Sequence, residues 1–226
     1  MAESDHLDEF IRHAGPGSRE ELRRKFSRQK RDKGQYIFFE GDPADSIFLI
    51  ESGVVEANVV HGEGKVYIYH FMFPGDIFGE GILFDEYDFP FSTVARGEVV
   101  YWKIPKDELL KIVNKDRNLE RHLLSIVGHK LESAYMKERC IAGERVEKRV
   151  ACTLLNTIEG EGTNPPCGQK YDSPLTNRDI SGLIGSTEET VSRVMSRLKK
   201  EGVVGIKDKH LVVLDRDALM GFLDAA

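Results

Sequence analysis

The chain has 226 residues, of which 40% are hydrophobic, and its formal net charge at pH 7 is −6. This length suits one large or two modest globular domains, and the negative charge argues against indiscriminate binding to nucleic acids. No apolar run reaches the roughly 18 residues of a membrane span, and the acidic N-terminus lacks the apolar stretch of a signal peptide. Three widely spaced cysteines predict neither a disulfide framework nor a CxxC metal site, which favours a cytoplasmic location: Cys140, Cys152 and Cys167.

Residues 35–104 predict a compact all-β unit. Short runs rich in β-branched and aromatic residues alternate with turn glycines, and the successive runs are YIFFEGD, SIFLIESG, VVEANVVHGEG, KVYIYHFMFPGD and VVYWKI. Strands at such short spacing are typical of a β-sandwich or barrel.

Residues 106–142 predict a short helix, PKDELLKIVNKD, and then a long one from about Asp116 to Ala142. Apolar residues on the long helix recur at spacings of three, four and three, which is typical of a seam between two helices: Leu124, Val127, Leu131 and Ala134. We expect this seam to form a dimer, because a helix this long is hard to bury within one small domain. The alternative is that the stripe packs on the chain's own β unit.

The C-terminal part predicts a winged helix-turn-helix. After a helix from about Glu144 to Ile158 and a loop by composition, EGEGTNPPCGQKYDSP, two short helices meet at Gly185. A hairpin over 203–214 then forms the wing with Lys207 and Lys209 at its tip, and a short helix over 215–224 closes the chain.

The second helix of this motif predicts contacts to DNA bases. Glu189, Ser192 and Arg193 fall on one face near its N-terminus, opposite an inner face of Val191, Val194 and Leu198. Arginine can donate two hydrogen bonds to O6 and N7 of guanine, and glutamate can accept one from the amino group of cytosine. Serine can contact a neighbouring base. The alternative for Glu189 is a capping box with Ser186, while the pattern at Thr176 and Asp179 favours capping of the first helix. Further polar and basic residues are predicted to contact the DNA backbone: Thr176, Arg178, Ser181, Thr187, Lys199, Lys200, Lys207 and Lys209.

The order of these parts resembles the Crp/Fnr family of bacterial transcription regulators, on the motifs IFFEGD, FLIESGVV, PGDIFGE and LTNRDISGLIGSTEETVSRVMSRLKKEGVV. The resemblance implies an α+β fold with an effector-sensing β-roll (jelly roll) over 1–115, a dimerisation helix and hinge over 116–143 and a winged helix-turn-helix over 144–226. It also implies a homodimer on a two-fold-symmetric operator, with RNA polymerase as a partner if the protein activates. The Glu189-x-x-Ser192-Arg193 pattern is similar to the fumarate–nitrate branch and implies a TTGAT-like half-site.

In this resemblance the effector site lies between the β-roll and the long helix. The predicted pocket comprises Gly79, Glu80, Phe84, Phe89, Pro90, Phe91, Leu131, Ala134 and Tyr135. We do not expect cyclic AMP, because Phe89-Pro90 stands where the family's phosphate-binding Arg-Ser pair falls, and Ala134-Tyr135 where its adenine-binding Thr-Ser pair falls. An iron–sulfur cluster is not expected either, because no cysteine precedes Cys140. A haem or an apolar small molecule stays open, with His61, His70, His122 and His129 as candidate axial ligands and His122 and His129 on one helix face.

No P-loop, HExxH motif or nucleophile–base pair points to an enzyme. The alternative to a DNA-binding regulator is a β-roll ligand-binding module whose C-terminal domain contacts protein. The six basic and three acidic residues within 189–210 argue against it.

Overall fold

A computed structural model describes residues 6–62, 65–83, 88–141, 145–159, 171–173, 175–207 and 210–224. Its internal contacts divide the chain into two compact units, Met1–Leu131 and Glu132–Ala226. Both units combine helices with antiparallel sheets, which confirms the predicted α+β class.

The first unit begins with two helices that the sequence analysis did not predict, α1 (His6–Ile11) and α2 (Pro16–Lys25). Their connection is held by Asp116, a buried carboxylate that accepts a hydrogen bond from the backbone N–H of Gly15 at 2.7 Å. Asp116 also accepts from the N–H groups of Asn118 and Leu119, both at 3.1 Å. Burial alone would raise the pKa of Asp116, but the hydrogen bonds from Ser18 and these backbone groups outweigh it and hold the pKa below its ordinary value.

Eight strands form the predicted β-roll as two four-stranded antiparallel sheets. They are β1 (Ser27–Arg31), β2 (Tyr36–Phe38), β3 (Ser46–Ser52), β4 (Val55–His61), β5 (Lys65–Met72), β6 (Ile77–Phe78), β7 (Ser92–Ala95) and β8 (Val99–Pro105). The strand orders are β1-β8-β3-β6 and β2-β7-β4-β5. The predicted runs contain β2, β3, β4 and β5 and all of β8 except Pro105, whereas β1, β6 and β7 lie outside them.

Aromatic side chains fill the space between the sheets. The ring of Phe38 stacks on that of Phe89, with centroids 3.7 Å apart, and Phe48 stacks on Phe78 at 4.9 Å. All four side chains are buried in one hydrophobic core. The packed core therefore accounts for four of the nine phenylalanines between residues 38 and 91, and Phe91 packs against it.

Two helices complete this part of the chain, α3 (Lys106–Val113) and α4 (Arg117–Ile141). Pro105 is the N-cap of α3 and has no N–H that would need a partner. Helix α4 matches the predicted long helix to within a residue at each end, and the division between the two units falls inside it.

The second unit contains α5 (Val146–Glu159), β9 (Tyr171–Ser173), α6 (Asn177–Ile184), α7 (Glu188–Lys200), β10 (Val204–Lys207), β11 (His210–Val213) and α8 (Arg216–Asp224). The predicted helices and the hairpin are present. Strand β9 is a correction, because it falls in a stretch predicted to be loop and pairs with β11. Cys152 on α5 is buried and disulfide-bonded, which the cysteine spacing did not predict.

Candidate nucleic-acid interface and effector region

The helix-turn-helix is formed by α6 and α7, which pack through their apolar faces. Ile180, Leu183 and Ile184 of α6 are buried. On α7 the buried residues are Val191, Val194, Met195 and Leu198. These are the predicted inner faces with Met195 added, so the amphipathic pattern determined how the two helices meet.

Side-chain caps fix both helix starts. Thr176 and Asp179 form the predicted capping box, with the Thr176 N–H donating to Asp179 Oδ2 at 2.8 Å. The cap of α7 differs from the pattern that we considered, because Thr187 rather than Ser186 is the N-cap and accepts from the N–H of Thr190 at 3.2 Å. The alternative that Glu189 closes a capping box with Ser186 is therefore wrong, and the Glu189 side chain is available for other contacts.

The turn between the helices depends on Gly185 and on a residue that sequence reasoning missed. Gly185 adopts left-handed angles, φ 62° and ψ 45°, which only glycine takes without a steric penalty. Arg149 on α5 donates from Nη1 to the carbonyl oxygen of Ile184 at 2.8 Å. Since C-terminal carbonyls of a helix lack intrahelical partners, this bond ties the end of α6 to α5.

The outward face of α7 carries the predicted base-contacting residues. The side chains of Glu189 and Arg193 are 83% and 72% exposed, and Arg193 Nη2 lies 3.6 Å from Glu189 Oε1. Ser192 is half-buried on the same side of the helix. An ion pair this exposed contributes little to stability, so both charged groups are free to turn toward a ligand.

The residues predicted to contact the DNA backbone differ in whether their polar atoms already form hydrogen bonds within the protein. Arg178, Thr187, Lys199 and Lys200 are exposed. Thr176 is exposed too, but its hydroxyl donates to Asp179 at 2.7 Å. Ser181 is buried and its hydroxyl donates to the Arg178 carbonyl oxygen at 2.8 Å, which leaves it poorly placed for a phosphate.

The wing is an antiparallel hairpin in which Val204 pairs with Val213 and Lys207 with His210. Lys207 therefore ends a strand rather than lying in the turn. Its side chain, and all of Lys209, lie outside the described residues. Ile206 on the same strand is 58% exposed.

In the predicted effector region, the FGE turn contacts the long helix through a residue absent from our predicted pocket. Lys130 Nζ donates to Glu80 Oε1 at 2.8 Å and also to the backbone carbonyl oxygen of Ile77. Gly79 has φ +82°, and a Cβ there would lie 2.8 Å from the Ser46 carbonyl oxygen. Glycine at this position therefore fixes the backbone that presents Glu80 to Lys130.

The structure changes the role of the predicted aromatic pocket. Phe89 is a correction, because it stacks on Phe38 within the packed core instead of lining open space. Phe91 is half-buried, and its ring centroid lies 5.8 Å from that of Tyr69. Pro90 is exposed, and Phe84 lies outside the described residues. A surface cleft of about 320 Å³ is lined by residues that belong to none of our predicted sites: Arg31, Gly34, Gln35, Tyr36 and Phe39.

The seam predicted on α4 is exposed. Leu124 and Leu131 are each 50% exposed, Val127 is half-buried and Ala134 is exposed. Tyr135, predicted for the pocket, is 62% exposed. Different residues of α4, Leu119 and Leu123, are buried against the β-roll core, so the alternative that the seam packs there is wrong.

The histidines do not form an axial-ligand pair. His122 is half-buried with its ring stacked on His13, and His129 is exposed. Seven residues of helix separate them by about 10 Å of rise, too far for both to bind one iron from opposite sides. His70 packs edge-on against Phe91, and the His61 side chain lies outside the described residues. Within the described part of the chain, no cluster of three or more His, Cys, Asp or Glu residues could hold a metal ion.

Comparison with known proteins extends these observations. Residues 28–116 match the model of the cyclic nucleotide-binding domain, and residues 148–222 match that of the Crp-like helix-turn-helix domain. The fumarate and nitrate reduction regulatory protein of Salmonella typhi is 25% identical over 187 residues, which cover 83% of this chain and 74% of that protein. The cyclic AMP receptor protein of Thermus thermophilus is 27% identical over 179 residues, which cover 79% and 80%.

Among solved structures, that of FixK2 from Bradyrhizobium japonicum superposes with a TM-score of 0.77 at 25% identity. It covers 89% of this chain and 98% of that one. Among the described residues, no helix is both long and apolar enough to cross a membrane.

Proposed function

Because this chain belongs to the Crp/Fnr family of DNA-binding transcription regulators, we propose that it binds an inverted-repeat operator as a homodimer under the control of an effector. Its relatives are regulators rather than enzymes, and it pairs an effector-binding domain with a DNA-binding one. The observation that carries the proposal is the exposed face of α7, where Glu189, Ser192 and Arg193 follow a side-chain cap and a tight turn. The alternative of a C-terminal domain that binds only protein is set aside, because residues 148–222 match a DNA-binding domain.

Arg193 is the centre of the proposed base contacts. A guanidinium presents two parallel donors to guanine O6 and N7, while the Glu189 carboxylate accepts from a cytosine amino group. Ser192 lies on the same side of α7, next to Glu189, and contacts an adjacent base. This arrangement supports a half-site of the TTGAT kind, the sequence implied by the Glu-x-x-Ser-Arg pattern.

Helix α4 is the proposed dimerisation element. Its exposed apolar stripe, with Leu124 and Leu131 each half accessible to solvent, is an apolar surface that a second copy would bury. Complete burial of an exposed leucine stabilises by roughly 1.5–3 kcal/mol, so each of these half-exposed leucines would gain about half of that in both subunits. A two-fold dimer places two copies of α7 about 34–36 Å apart, one turn of DNA. We place such a regulator in the cytoplasm with the chromosome, and in contact with RNA polymerase where it activates.

The chemistry of the effector region favours a neutral, largely apolar small molecule. Lys130 is committed to Glu80, so the FGE turn offers an anion no uncommitted basic group among the residues that we describe. This supports the expectation that cyclic AMP is not the effector. A haem does not fit the two histidines on α4, since His122 is packed against His13 and His129 faces solvent.

The proposed function is tested by measuring the affinity for a labelled inverted TTGAT repeat and for matched duplexes with single-base changes. We expect Arg193→Ala to weaken binding to the cognate repeat by about 1–3 kcal/mol and to relax base choice at one position of each half-site. Lys200→Ala, which removes a proposed backbone contact, should weaken binding to all the duplexes alike. An equal loss on every duplex for Arg193→Ala would make Arg193 a phosphate contact, and binding to no duplex would overturn the proposal.

A further inference from the structure

A charged residue occupies the buried stripe of α4. Leu119 and Leu123 are buried in the β-roll core, and Ile126 packs against the same core. The next position of this stripe, one helical turn beyond Ile126, is Lys130. An ammonium in such a place needs partners, because a buried unpaired charge is strongly destabilising.

The partners of Lys130 come from the FGE turn. Its Nζ donates to the carbonyl oxygen of Ile77 and to Glu80 Oε1, the latter at 2.8 Å. Only 36% of the Lys130 side chain and 18% of the Glu80 side chain are exposed, so solvent screens this ion pair less than a surface pair. The other carboxylate oxygen, Glu80 Oε2, is buried and has no hydrogen-bond partner among the described residues. Glu80 therefore depends on Lys130 for compensation of its charge.

The other residues of this stripe, Leu119, Leu123 and Ile126, pack through apolar side chains, whose contacts are non-directional. The interior beside them is filled by the stacked rings of Phe38, Phe48, Phe78 and Phe89. Apolar contacts permit small rotations of a helix, whereas the two bonds of Lys130 specify one position.

We propose that Lys130, Ile77 and Glu80 form an internal tether that takes the place of a bound effector and holds the ligand-free protein in its DNA-binding state. The inference rests on the proposed function, because it concerns how DNA binding is controlled. A dimer can fit two half-sites only when its recognition helices keep one spacing, and α4 leads from the β-roll into the DNA-binding unit. If α4 is held less firmly, the helix occupies several positions on the β-roll. The fraction of molecules that is competent to bind DNA then falls. An effector that separates α4 from the FGE turn therefore lowers the DNA affinity instead of raising it.

The test compares four proteins freed of small molecules by unfolding and refolding: wild type, Lys130→Met, Lys130→Arg and Arg121→Met. Methionine keeps the apolar stem of Lys130 on an apolar stripe and removes only the ammonium. Because this leaves Glu80 without its counter-charge, thermal unfolding of every variant is measured to show that the fold survives. Arg121→Met is the matched control, because it removes a positive charge from an exposed position of the same helix. The readouts are the affinity for the inverted TTGAT repeat and the hydrogen exchange of residues 77–80 and 126–131.

We expect wild type to bind without any added ligand and Lys130→Met to bind at least about tenfold more weakly, with faster exchange in both segments. Lys130→Arg and Arg121→Met should bind like wild type. The tether is overturned if Lys130→Met matches wild type in affinity and exchange, or if stripped wild type binds only after a ligand is added. Stripped wild type that binds no DNA overturns the tether, and the proposed function fails as well only if the protein as purified binds none either. Unchanged exchange in Lys130→Met also overturns the tether.

Discussion

His122 is half-buried between two aromatic rings from the N-terminal segment. Its ring is stacked on that of His13, with centroids 3.8 Å apart and planes 14° from parallel, and the Phe10 ring lies 5.7 Å away. Burial lowers the pKa of His122, and the nearby His13 and Arg12 lower it further. The folded protein therefore favours the neutral imidazole at the point where the N-terminal segment meets α4.

This lowered pKa predicts a loss of stability in mild acid. Because the pKa of His122 is lower in the folded chain than its ordinary 6.5, the unfolded chain binds more protons as the pH falls below that value. The contribution of His122 to the free energy of unfolding is fully present above about pH 6.5 and is lost as the pH falls through the pKa of the folded chain. We expect His122→Phe, which keeps a ring in the stack, to flatten the dependence of the urea midpoint of the first unit between pH 7.5 and 5.

His129→Phe is the matched control, since it replaces an exposed histidine on the same helix by the same ring. A His122→Phe variant with the same slope as wild type would show that another group causes the effect.

The residues that sequence reasoning missed are charged or polar groups with distant partners. Lys130 gave a usable signal, since a lysine follows Leu119, Leu123 and Ile126 on one stripe, but its partner on β6 could not be inferred from spacing. Arg149 and the pairing of His13 with His122 gave none, because each depends on contacts between elements far apart in the chain. By contrast, helical periodicity alone predicts that Glu189 and Arg193 lie on one exposed face, which the structure shows, while their contacts to DNA stay a prediction.

At the level of elements, the turn between α6 and α7 is the point most sensitive to a single substitution. Gly185 is the C-cap of α6 with φ 62°, and its N–H donates to the Ser181 carbonyl oxygen. A side chain in this left-handed conformation costs roughly 1–2 kcal/mol. We therefore expect Gly185→Ala to destabilise the C-terminal unit by that amount and Gly185→Asn by less, because asparagine tolerates the conformation better. Urea unfolding followed in the C-terminal unit measures both.

For Gly128→Ala we expect the opposite effect, a gain in stability. Gly128 lies inside α4, and a Cβ there would meet nothing within 4 Å. Replacing a glycine in a helix interior by alanine stabilises by up to about 1 kcal/mol. If Gly185→Ala were as neutral or as favourable as Gly128→Ala, the turn would not need left-handed angles at that residue.

Helices and strands could be predicted where their side chains show an apolar pattern. They could not be predicted where only backbone hydrogen bonds define the element. The apolar strands β3, β4, β5 and β8 follow from their composition. Strand β1, with the sequence SRQKR, has no apolar alternation and exists through its antiparallel pairing with β8, from Ser27 opposite Lys103 to Arg31 opposite Val99. Strand β9 was not predicted either, because its three residues form a strand only through their pairing with β11. The cap of α7 shifted by one residue because Ser186 and Thr187 are both good caps and only the folded turn selects between them.

At the level of the whole molecule, α4 carries two apolar stripes with different tasks. Leu119, Leu123 and Ile126 pack on the β-roll, whereas Leu124 and Leu131 lie on a separate stripe that remains exposed. A helix bound to one domain alone needs only one of these stripes. The second stripe is thus best explained by a partner of the same kind, which is the basis of the proposed homodimer.

Placing like charges along this second stripe should therefore separate the subunits. In the proposed dimer, Leu124→Glu with Leu131→Glu would bring carboxylates toward their counterparts in a seam that excludes water, which costs far more than their exposure in a monomer. We expect this double variant to sediment as a monomer under conditions where wild type is a dimer. Its operator affinity should fall to that for a single half-site, because the second recognition helix is no longer held one DNA turn away.

The control is Ser125→Glu, which adds a carboxylate at an exposed position of α4 outside both stripes and should remain dimeric with unchanged affinity. The stripe was exposed before the substitution, so the double variant gains no buried charge within its own chain. Retained thermal stability of the β-roll would accordingly separate loss of association from loss of folding. A double variant that stays dimeric and binds the full operator like wild type would mean that the subunits associate through another surface and that Leu124 and Leu131 serve a different partner.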